Sequence, residues 1–428
     1  MRNISDMTIN DGEILRNSNL QRPSSFTSIF EKIFVLLFIL LFPAALSFPF
    51  LLYKIVKRKY VYLYFMGIWF ALWSTCIPPI GDQSRYFLLI EDGVQFYWES
   101  WHHIVGFNLI RLLCSVFHSM EWYLEWLRIA VFFLSWCSIC SVVVDLCNAV
   151  ENTEKSKGIF YIFLILLGTF PWFAVCYGFR WGMACCFTAA GCYWISQGKK
   201  RILWIIEFMV AIFTHIAIVG ILVPLLLWKI FPYRRKNDFV PIILLSVIVL
   251  VPIIKNILIS VFPDFVFVRS YLSDDAYWNK DYLKDLSSVT LCINFIKQLP
   301  IYIYSFIIVF CQRLRTELSI LVLPLLIVFW VLCFFPLLQE RVCFFLYIVL
   351  FFDIMLLYFN NNISIYRLKS YGWLFFLFYM VFHYQIRTLR DFHVEWKFMI
   401  KPAFYAVERH YDYSYYTEKI TEDGNNFK

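Results

Sequence analysis

The residues that could do chemistry are few, and each interrupts or ends a long apolar run. They are Arg180, His215 and the adjacent pair Glu340 and Arg341. A charged or titratable side chain is costly at bilayer depth, so its presence in such a run is by default a functional hypothesis.

A polar loop beginning at Gly81 adds two further candidates, Asp82 and Arg85. They follow directly on Pro78-Pro79, which ends the preceding apolar run because proline cannot continue a helix. Asp82 could act as a base or orient an acceptor hydroxyl, and Arg85 could contact an anion. The alternative is a local ion pair in a solvated loop.

Arginines at one membrane face suit a pyrophosphate, because the planar guanidinium binds phosphoryl oxygens through two parallel hydrogen bonds and stays charged. Arg180 and Arg341, with Arg85, are the candidates, and Glu340 stands beside Arg341 to orient it or to accept a proton. Gly178 and Gly182 flank Arg180 and predict room for a ligand. The competing reading of Arg180 is an interfacial arginine that reaches toward water.

His215 has no histidine or cysteine at ligand spacing, so a zinc site is not expected. It could serve as a general base or contact a phosphate or hydroxyl; the alternative is a structural histidine. The acidic stretch with Asp274, Asp275, Asp281 and Asp285 lacks the spacing of a divalent-cation site. We therefore expect no metal and no cofactor.

The composition excludes a soluble protein. Of 428 residues, 61% are apolar and 16% are charged, whereas soluble domains contain about 25% charged residues. Apolar segments of roughly 17–25 residues recur along the chain. The first 32 residues are polar, which predicts no cleavable signal peptide. The net charge of +8 lies largely in short loops, where it sets membrane orientation and does not indicate nucleic-acid binding.

The sequence therefore predicts an all-α polytopic membrane protein with about 10 spans and one short hairpin. A polar segment, 1–32, precedes a transmembrane domain, 33–386, and a C-terminal tail, 387–428, follows. The predicted spans are 33–53, 60–80, 124–147, 158–178, 181–197, 239–261, 289–312, 318–337, 342–359 and 371–386.

The orientation follows from the basic cluster Lys54–Lys59, which the positive-inside rule places in the cytoplasm. The loops 81–123 and 262–288 then lie outside, and every candidate residue faces the exterior.

The stretch 202–232 is flanked on both sides by basic clusters, so both of its ends are predicted to be cytoplasmic. Its roughly 30 residues are too few for two spans of about 20. A short membrane hairpin results, with His215 near its turn. Non-helical backbone at that depth lies in protein or lines a wet cavity, which places His215 in a cavity.

With these residues laid out, the chain resembles the EpsG/Wzy-type polymerases of O-antigen and capsular polysaccharide. The likeness covers about residues 80–405 and rests on ordered elements rather than on one motif. His215 is followed by Ile216, where such proteins often have tyrosine or serine. The matching elements are Asp82 to Tyr86, Arg180 to Ala184, Phe213 to His215 with Pro224, Pro336 to Arg341, and Pro402 to Tyr405.

The resemblance implies a metal-independent membrane glycosyltransferase of the GT-C type. It would transfer a growing glycan from undecaprenyl pyrophosphate to the non-reducing end of another lipid-linked repeat unit, in the bacterial inner membrane with the site facing the periplasm. Arg85, Arg180 and Arg341 would bind pyrophosphate, and His215, Asp82 or Glu340 would handle the proton. A chain-length regulator and a flippase are the implied protein partners, and no nucleic acid is expected.

Three other functions compete with this one. A lipid-linked oligosaccharide flippase predicts two equivalent halves, which the sequence does not show. A membrane-bound O-acyltransferase needs a histidine that cytoplasmic acyl-CoA can reach. An O-antigen ligase shares the donor lipid but typically carries a larger exterior domain.

Overall fold

The computed structural model describes residues 25–77, 123–149, 155–198, 201–230, 288–311, 314–334, 336–360, 362–387 and 392–403, with isolated positions between 246 and 261. Across these ranges the chain is helical, and an isolated bridge between Pro43 and Pro402 is the one extended pairing. The helices are α1 (Ser25–Leu41), α2 (Ala44–Val56), α3 (Tyr62–Ser74), α4 (Tyr123–Asn148), α5 (Ile159–Thr169), α6 (Trp172–Tyr177), α7 (Phe179–Ser196), α8 (Arg201–Thr214), α9 (Val219–Ile230), α10 (Ser288–Phe310), α11 (Glu317–Val331), α12 (Pro336–Phe359), α13 (Ile365–Arg387) and α14 (Phe392–Ile400).

Within the described residues, two stretches are long and apolar enough to cross a membrane, Glu125–Asn148 in α4 and Leu338–Phe359 in α12. Shorter apolar helices accompany them, namely α2, α3, α5, α8, α9 and much of α10 and α11. The predicted all-α class is confirmed, and the apolar helices are consistent with a membrane protein. The number of spans stays a prediction.

Prolines divide several of the predicted spans. The stretch 33–53 breaks at Pro43 and folds back on itself: the Phe38 and Phe50 rings lie 5.3 Å apart, and Glu31 before the stretch bonds to Lys54 after it. The prediction that 33–53 is one span is therefore wrong. The stretch 158–178 breaks at Pro171 between α5 and α6.

A proline lacks the N–H that would bond to the preceding turn, so it is best tolerated at a helix start. For the same reason α12 begins at Pro336, and Glu340 and Arg341 lie within this helix rather than in the loop that the sequence predicted. Among the described residues, four helices nevertheless contain a proline in their interior, at Pro49, Pro224, Pro300 and Pro324.

The helix α7 occupies the centre of the bundle and packs against α4, α8 and α12. Small residues let these neighbours approach closely: a Cβ on Gly191 would lie 2.4 Å from the Phe208 ring of α8. Cys185 and Cys186 on α7 are buried and free. Nearly every residue of α7 is buried, so its first turn, with Arg180, is fixed by packing on all sides.

The predicted hairpin is present as two short helices. α8 has 14 residues and α9 has 12, and a 3₁₀ turn at Ile216–Ile218 joins them. His215 lies at the corner between α8 and this turn, as predicted. Each helix is shorter than the roughly 20 residues that a full span requires.

The carboxylate of Glu31 in α1 connects this helix to the end of α2, the link that follows and the start of α3. Glu31 Oε1 accepts hydrogen bonds from Lys54 Nζ at 3.1 Å, Lys59 Nζ at 3.0 Å and the Tyr62 hydroxyl at 2.6 Å. The Tyr62 hydroxyl and the two ammonium groups lower the pKa of Glu31 from 4.5 to about 2.

We expect this arrangement to stabilise the fold above the unfolded-state pKa of 4.5 and to lose that contribution as pH falls toward 2, because a lowered pKa favours the ionised folded state. Replacing Glu31 with glutamine should therefore lower the unfolding temperature at neutral pH, with the gap from wild type closing in acid. The check is thermal unfolding of the purified protein across this pH range. For a Lys57→Gln control, the difference in unfolding temperature from wild type should not change with pH. If the difference for Glu31→Gln is equally independent of pH, the proposed role of the Glu31 carboxylate is wrong.

Candidate functional site

Three segments that are far apart in the sequence meet around the indole of Trp181. This ring packs edge-on against the His215 ring, with centroids 5.2 Å apart and an interplanar angle of 80°. The Arg341 guanidinium lies 5.6 Å from the Trp181 ring centroid, within the range of a cation–π contact. The indole Nε1 also donates to the Arg341 carbonyl at 3.1 Å. Trp181 is only 9% exposed, so it acts as a fixed spacer between the histidine and the arginine.

Arg180 joins this group from the second position of α7. Its guanidinium and that of Arg341 both act electrostatically on the His215 imidazole. Arg180, Trp181, His215 and Arg341 are called the Trp181 cluster below. The three predicted sites at 180, 215 and 341 are therefore neighbours, although α7, the hairpin and α12 supply one each.

The His215 ring has a defined hydrogen-bonding polarity. Its Nδ1 accepts a hydrogen bond from the Ala217 backbone N–H at 3.2 Å, and its own backbone N–H donates to the Ala211 carbonyl at 2.9 Å. A neutral imidazole that accepts at Nδ1 carries its proton on Nε2. The free edge of His215 therefore presents a donor, which suits an anion or a hydroxyl oxygen better than it suits proton abstraction.

Glu340 lies near the start of α12, and it is exposed. Its carboxylate acts electrostatically on Arg341 beside it and on Lys297 of α10. The preceding residue, Gln339, is buried and donates from Nε2 to the Tyr302 hydroxyl and, at 3.1 Å, to the Phe329 carbonyl. These bonds fix the start of α12 against α10 and α11, so Glu340 and Arg341 stand on an anchored turn.

A buried arginine that the sequence reasoning missed links two further parts of the site. Arg128 of α4 is 1% exposed. Its Nη1 donates to the Ser74 carbonyl at 3.0 Å and to the Ile77 carbonyl, and its guanidinium lies 5.7 Å from the Phe179 ring centroid. It thus ties the residues just before the Gly81 loop to the first residue of α7. The signal was a single arginine inside the predicted span 124–147.

Asp82 and Arg85 lie outside the described residues, so their place relative to the Trp181 cluster stays a prediction. The acidic stretch Asp274–Asp285 lies outside them as well. Within the described ranges, His, Cys, Asp and Glu side chains do not gather in groups of three or more that could hold a metal ion.

The sequence predicted room for a ligand at Gly182, close to Arg180, but another helix fills that position. A Cβ on Gly182 would lie 2.4 Å from the backbone of Ala174 and Val175. Gly182 therefore lets α7 pack against α6, and the prediction that it leaves room for a ligand is wrong. Close helix approach of this kind is a common use of glycine in apolar helices.

Two buried carboxyl groups also escaped the sequence reasoning, and both connect helices. Glu207 of α8 accepts from the Ser138 hydroxyl of α4 at 2.8 Å. Asp353 of α12 is fully buried and accepts from the Tyr304 hydroxyl at 3.1 Å and from Thr316, the N-cap of α11. Asp353 is more than three helical turns from Arg341 on the same helix. It therefore connects helices and is not part of the Trp181 cluster.

No known protein family, no curated protein and no solved structure matches this chain. The chemistry of the Trp181 cluster is therefore the main basis for a function. The cluster offers two guanidinium groups and an imidazole donor, with a carboxylate next to them. Such a set of groups is suited to binding an anionic oxygen-rich ligand.

Proposed function

We propose that this chain is a membrane glycosyltransferase that polymerises lipid-linked oligosaccharide repeat units. The proposal takes the protein to cross the bacterial inner membrane several times, with the hairpin of α8 and α9 partly inserted. The positive-inside rule then puts the Trp181 cluster at the periplasmic face, since basic residues fill the opposite loops. The two long apolar helices and the shorter ones support this placement.

The single observation that carries the reaction class is the meeting of Arg180, His215 and Arg341 around Trp181. Two guanidinium groups can bind the non-bridging oxygens of a pyrophosphate and stabilise the charge that develops as it leaves. Undecaprenyl pyrophosphate is such a leaving group, and a lipid substrate can reach the site from the bilayer. The EpsG/Wzy-type resemblance joins this chemistry to polymerisation of a surface polysaccharide.

In the proposed reaction, a hydroxyl at the non-reducing end of an incoming repeat unit attacks the anomeric carbon of the growing glycan. The bond from that carbon to the pyrophosphate oxygen breaks, and its electron pair leaves with the lipid pyrophosphate. The proton of the hydroxyl passes to a carboxylate. Arg180 and Arg341 hold the leaving group, and His215 donates to it through Nε2.

Glu340 is the base that this arrangement favours, because His215 presents a donor and Glu340 is exposed beside Arg341. Asp82 and Arg85 remain proposed members of the same site, as a second carboxylate and a third arginine. Proton transfer to a positioned carboxylate accelerates a reaction by about 10²–10⁴-fold.

The test is incubation of the purified protein with undecaprenyl-pyrophosphate-linked repeat units as the sole substrate, followed by gel analysis of the glycan. A ladder of increasing length supports a polymerase. Transfer that appears only after a separate acceptor such as lipid A is added indicates a ligase instead. Movement of the lipid-linked unit across a vesicle without a new glycosidic bond indicates a flippase, and either result overturns the proposal.

A further inference from the structure

The helices α1 and α2 form a hairpin, called the N-terminal hairpin below, whose two open ends meet at Glu31. The Glu31 carboxylate lies 3.1 Å from Lys54 Nζ near the end of α2 and 3.0 Å from Lys59 Nζ just beyond it. Closer to the turn, the Phe38 and Phe50 rings lie 5.3 Å apart. The early part of α1 and the end of α2 are therefore at the same end of the hairpin.

The charges of the N-terminal hairpin are confined to this open end. Residues 33–53 contain no charged side chain, whereas Lys57 and Arg58 are exposed just after α2. About 15 Å of helix separates Lys54 from Ala44 at the closed end, at 1.5 Å per residue. The hydrocarbon core of a bilayer is about 30 Å thick. A hairpin with its basic end at the membrane surface therefore reaches about half of this depth.

The backbone at the closed end has hydrogen-bonding partners, as membrane depth requires. The Pro43 carbonyl accepts from the Leu46 N–H at 2.9 Å. The Ala44 carbonyl accepts from Trp69 Nε1 of α3 at 3.2 Å. Pro43 also pairs with Pro402 in an isolated bridge. Non-helical backbone within a bilayer is tolerated where protein covers it, and α3 and the segment at Pro402 supply that cover.

The two sides of the N-terminal hairpin differ in what they contact. Phe48 of α2 packs against Trp69 of α3, with ring centroids 4.9 Å apart. On α1 an apolar stripe at helical spacing is exposed instead, and it continues past the turn. Each of its side chains is about half exposed: Ile33, Phe34, Leu37, Leu41, Phe42 and Leu46. This stripe begins at the basic open end and runs to the closed end, which matches one leaflet with its headgroups at the base.

We propose that the N-terminal hairpin is a second membrane hairpin, which enters the bilayer from the cytoplasmic side and returns to that side without crossing. The partner of its exposed stripe is the acyl chains of the cytoplasmic leaflet, and Lys57 and Arg58 contact the anionic phospholipid headgroups. The side follows from the positive-inside rule. A single span over 33–53 would instead put the two ends of this stretch on opposite sides. The inference does not use the proposed reaction.

The experiment compares Lys32→Cys with Lys57→Cys, two exposed lysines on either side of the apolar stretch that do not bond to Glu31. Each variant is treated with a membrane-impermeant maleimide in inside-out and in right-side-out vesicles. Because the chain has 13 cysteines, the signal is the label taken up beyond that of wild type. We expect this extra label for both variants in inside-out vesicles and its loss for both in right-side-out vesicles.

Extra label on opposite sides of the membrane for the two variants overturns the hairpin, and extra label from the exterior for both overturns its placement in the cytoplasmic leaflet. The first comparison does not depend on the positive-inside rule, because it is made between two positions of one chain. Should Lys32→Cys not fold or take up no label, an epitope tag joined to Met1 and probed with protease in the same vesicles replaces it.

A photo-crosslinking amino acid identifies the partner of the exposed stripe. In the Leu46→p-benzoylphenylalanine variant, which places the crosslinker beside the closed end, we expect adducts with phospholipid. Crosslinks to a second copy of the chain overturn the assignment of this stripe to lipid. Neither result affects the test of the proposed function, because that test scores the glycan formed and not the side of the membrane on which α1 begins.

Discussion

Replacing Arg341 with alanine should reduce glycan polymerisation by about 100-fold or more, because it removes a charged donor from the leaving pyrophosphate. The substitution removes the cation–π contact with Trp181, but the hydrogen bond from Trp181 Nε1 to the backbone carbonyl of residue 341 survives in alanine. Arg180→Ala should have an effect of the same order. Arg341→Lys should recover only part of the activity, because an ammonium keeps the charge but cannot form two parallel hydrogen bonds.

The measurement is the rate of chain elongation by the purified variants on lipid-linked repeat units, with thermal unfolding followed in parallel. Arg367→Ala, at an exposed position of α13, is the matched control and should elongate chains at the wild-type rate. Wild-type ladders from both Arg180→Ala and Arg341→Ala would remove these residues from the site.

Replacing Arg128 with alanine should have the largest effect on stability, lowering the free energy of unfolding by about 3 kcal/mol. The guanidinium is buried and bonded to the carbonyls of Ser74 and Ile77, and both lose a charged partner when it is removed. The contact with Phe179 is lost as well. Because these contacts join α3, α4 and α7, we expect the loss to reach the first turn of α7.

Thermal unfolding in a single detergent is the check on this prediction, with Arg367→Ala again as the control. Arg128→Lys should restore part of the stability, because an ammonium can reach a carbonyl but cannot reproduce the stacking on Phe179. An Arg128→Ala protein that unfolds at the wild-type temperature would contradict the role of this arginine in holding α3 to α7.

The helical class and the positions of the key residues could be read from the sequence because they depend on local properties. Apolar runs predict helices, and the basic residues on both sides of 202–232 leave too few residues for two spans. For that reason the prediction of a hairpin with His215 at its turn matches α8 and α9. Arg180 and His215 also stood out because charged groups in apolar runs are rare.

The remaining features depend on contacts between distant segments, which local patterns do not encode. Trp181 and Arg341 are separated by 160 positions, and no spacing rule predicts that one donates to the other. The Nδ1 bond that defines the polarity of His215 depends on the exact turn after α8. Gly182 could be read as space for a ligand or as space for another helix, and only packing shows that α6 takes it.

Arg128 illustrates the same limit from the opposite side. It was visible as a charge inside an apolar run, but it did not stand next to a break in that run as Arg180 and Arg341 do. Its importance comes from its partners, the carbonyls of Ser74 at the end of α3 and of Ile77 just after it. A charge within a predicted span is therefore worth following even where no loop or proline marks it.

The most direct test of the central claim is to count undecaprenyl pyrophosphate released against glycosidic bonds formed, using purified protein and lipid-linked repeat units. We expect one molecule of lipid pyrophosphate for each new bond in the wild type. Arg180→Ala and Arg341→Ala should release almost none, and Arg367→Ala should match the wild type. Glycan elongation without matching release, or equal release by the Trp181-cluster variants, would contradict the assignment of this cluster to glycosyl transfer with a pyrophosphate leaving group.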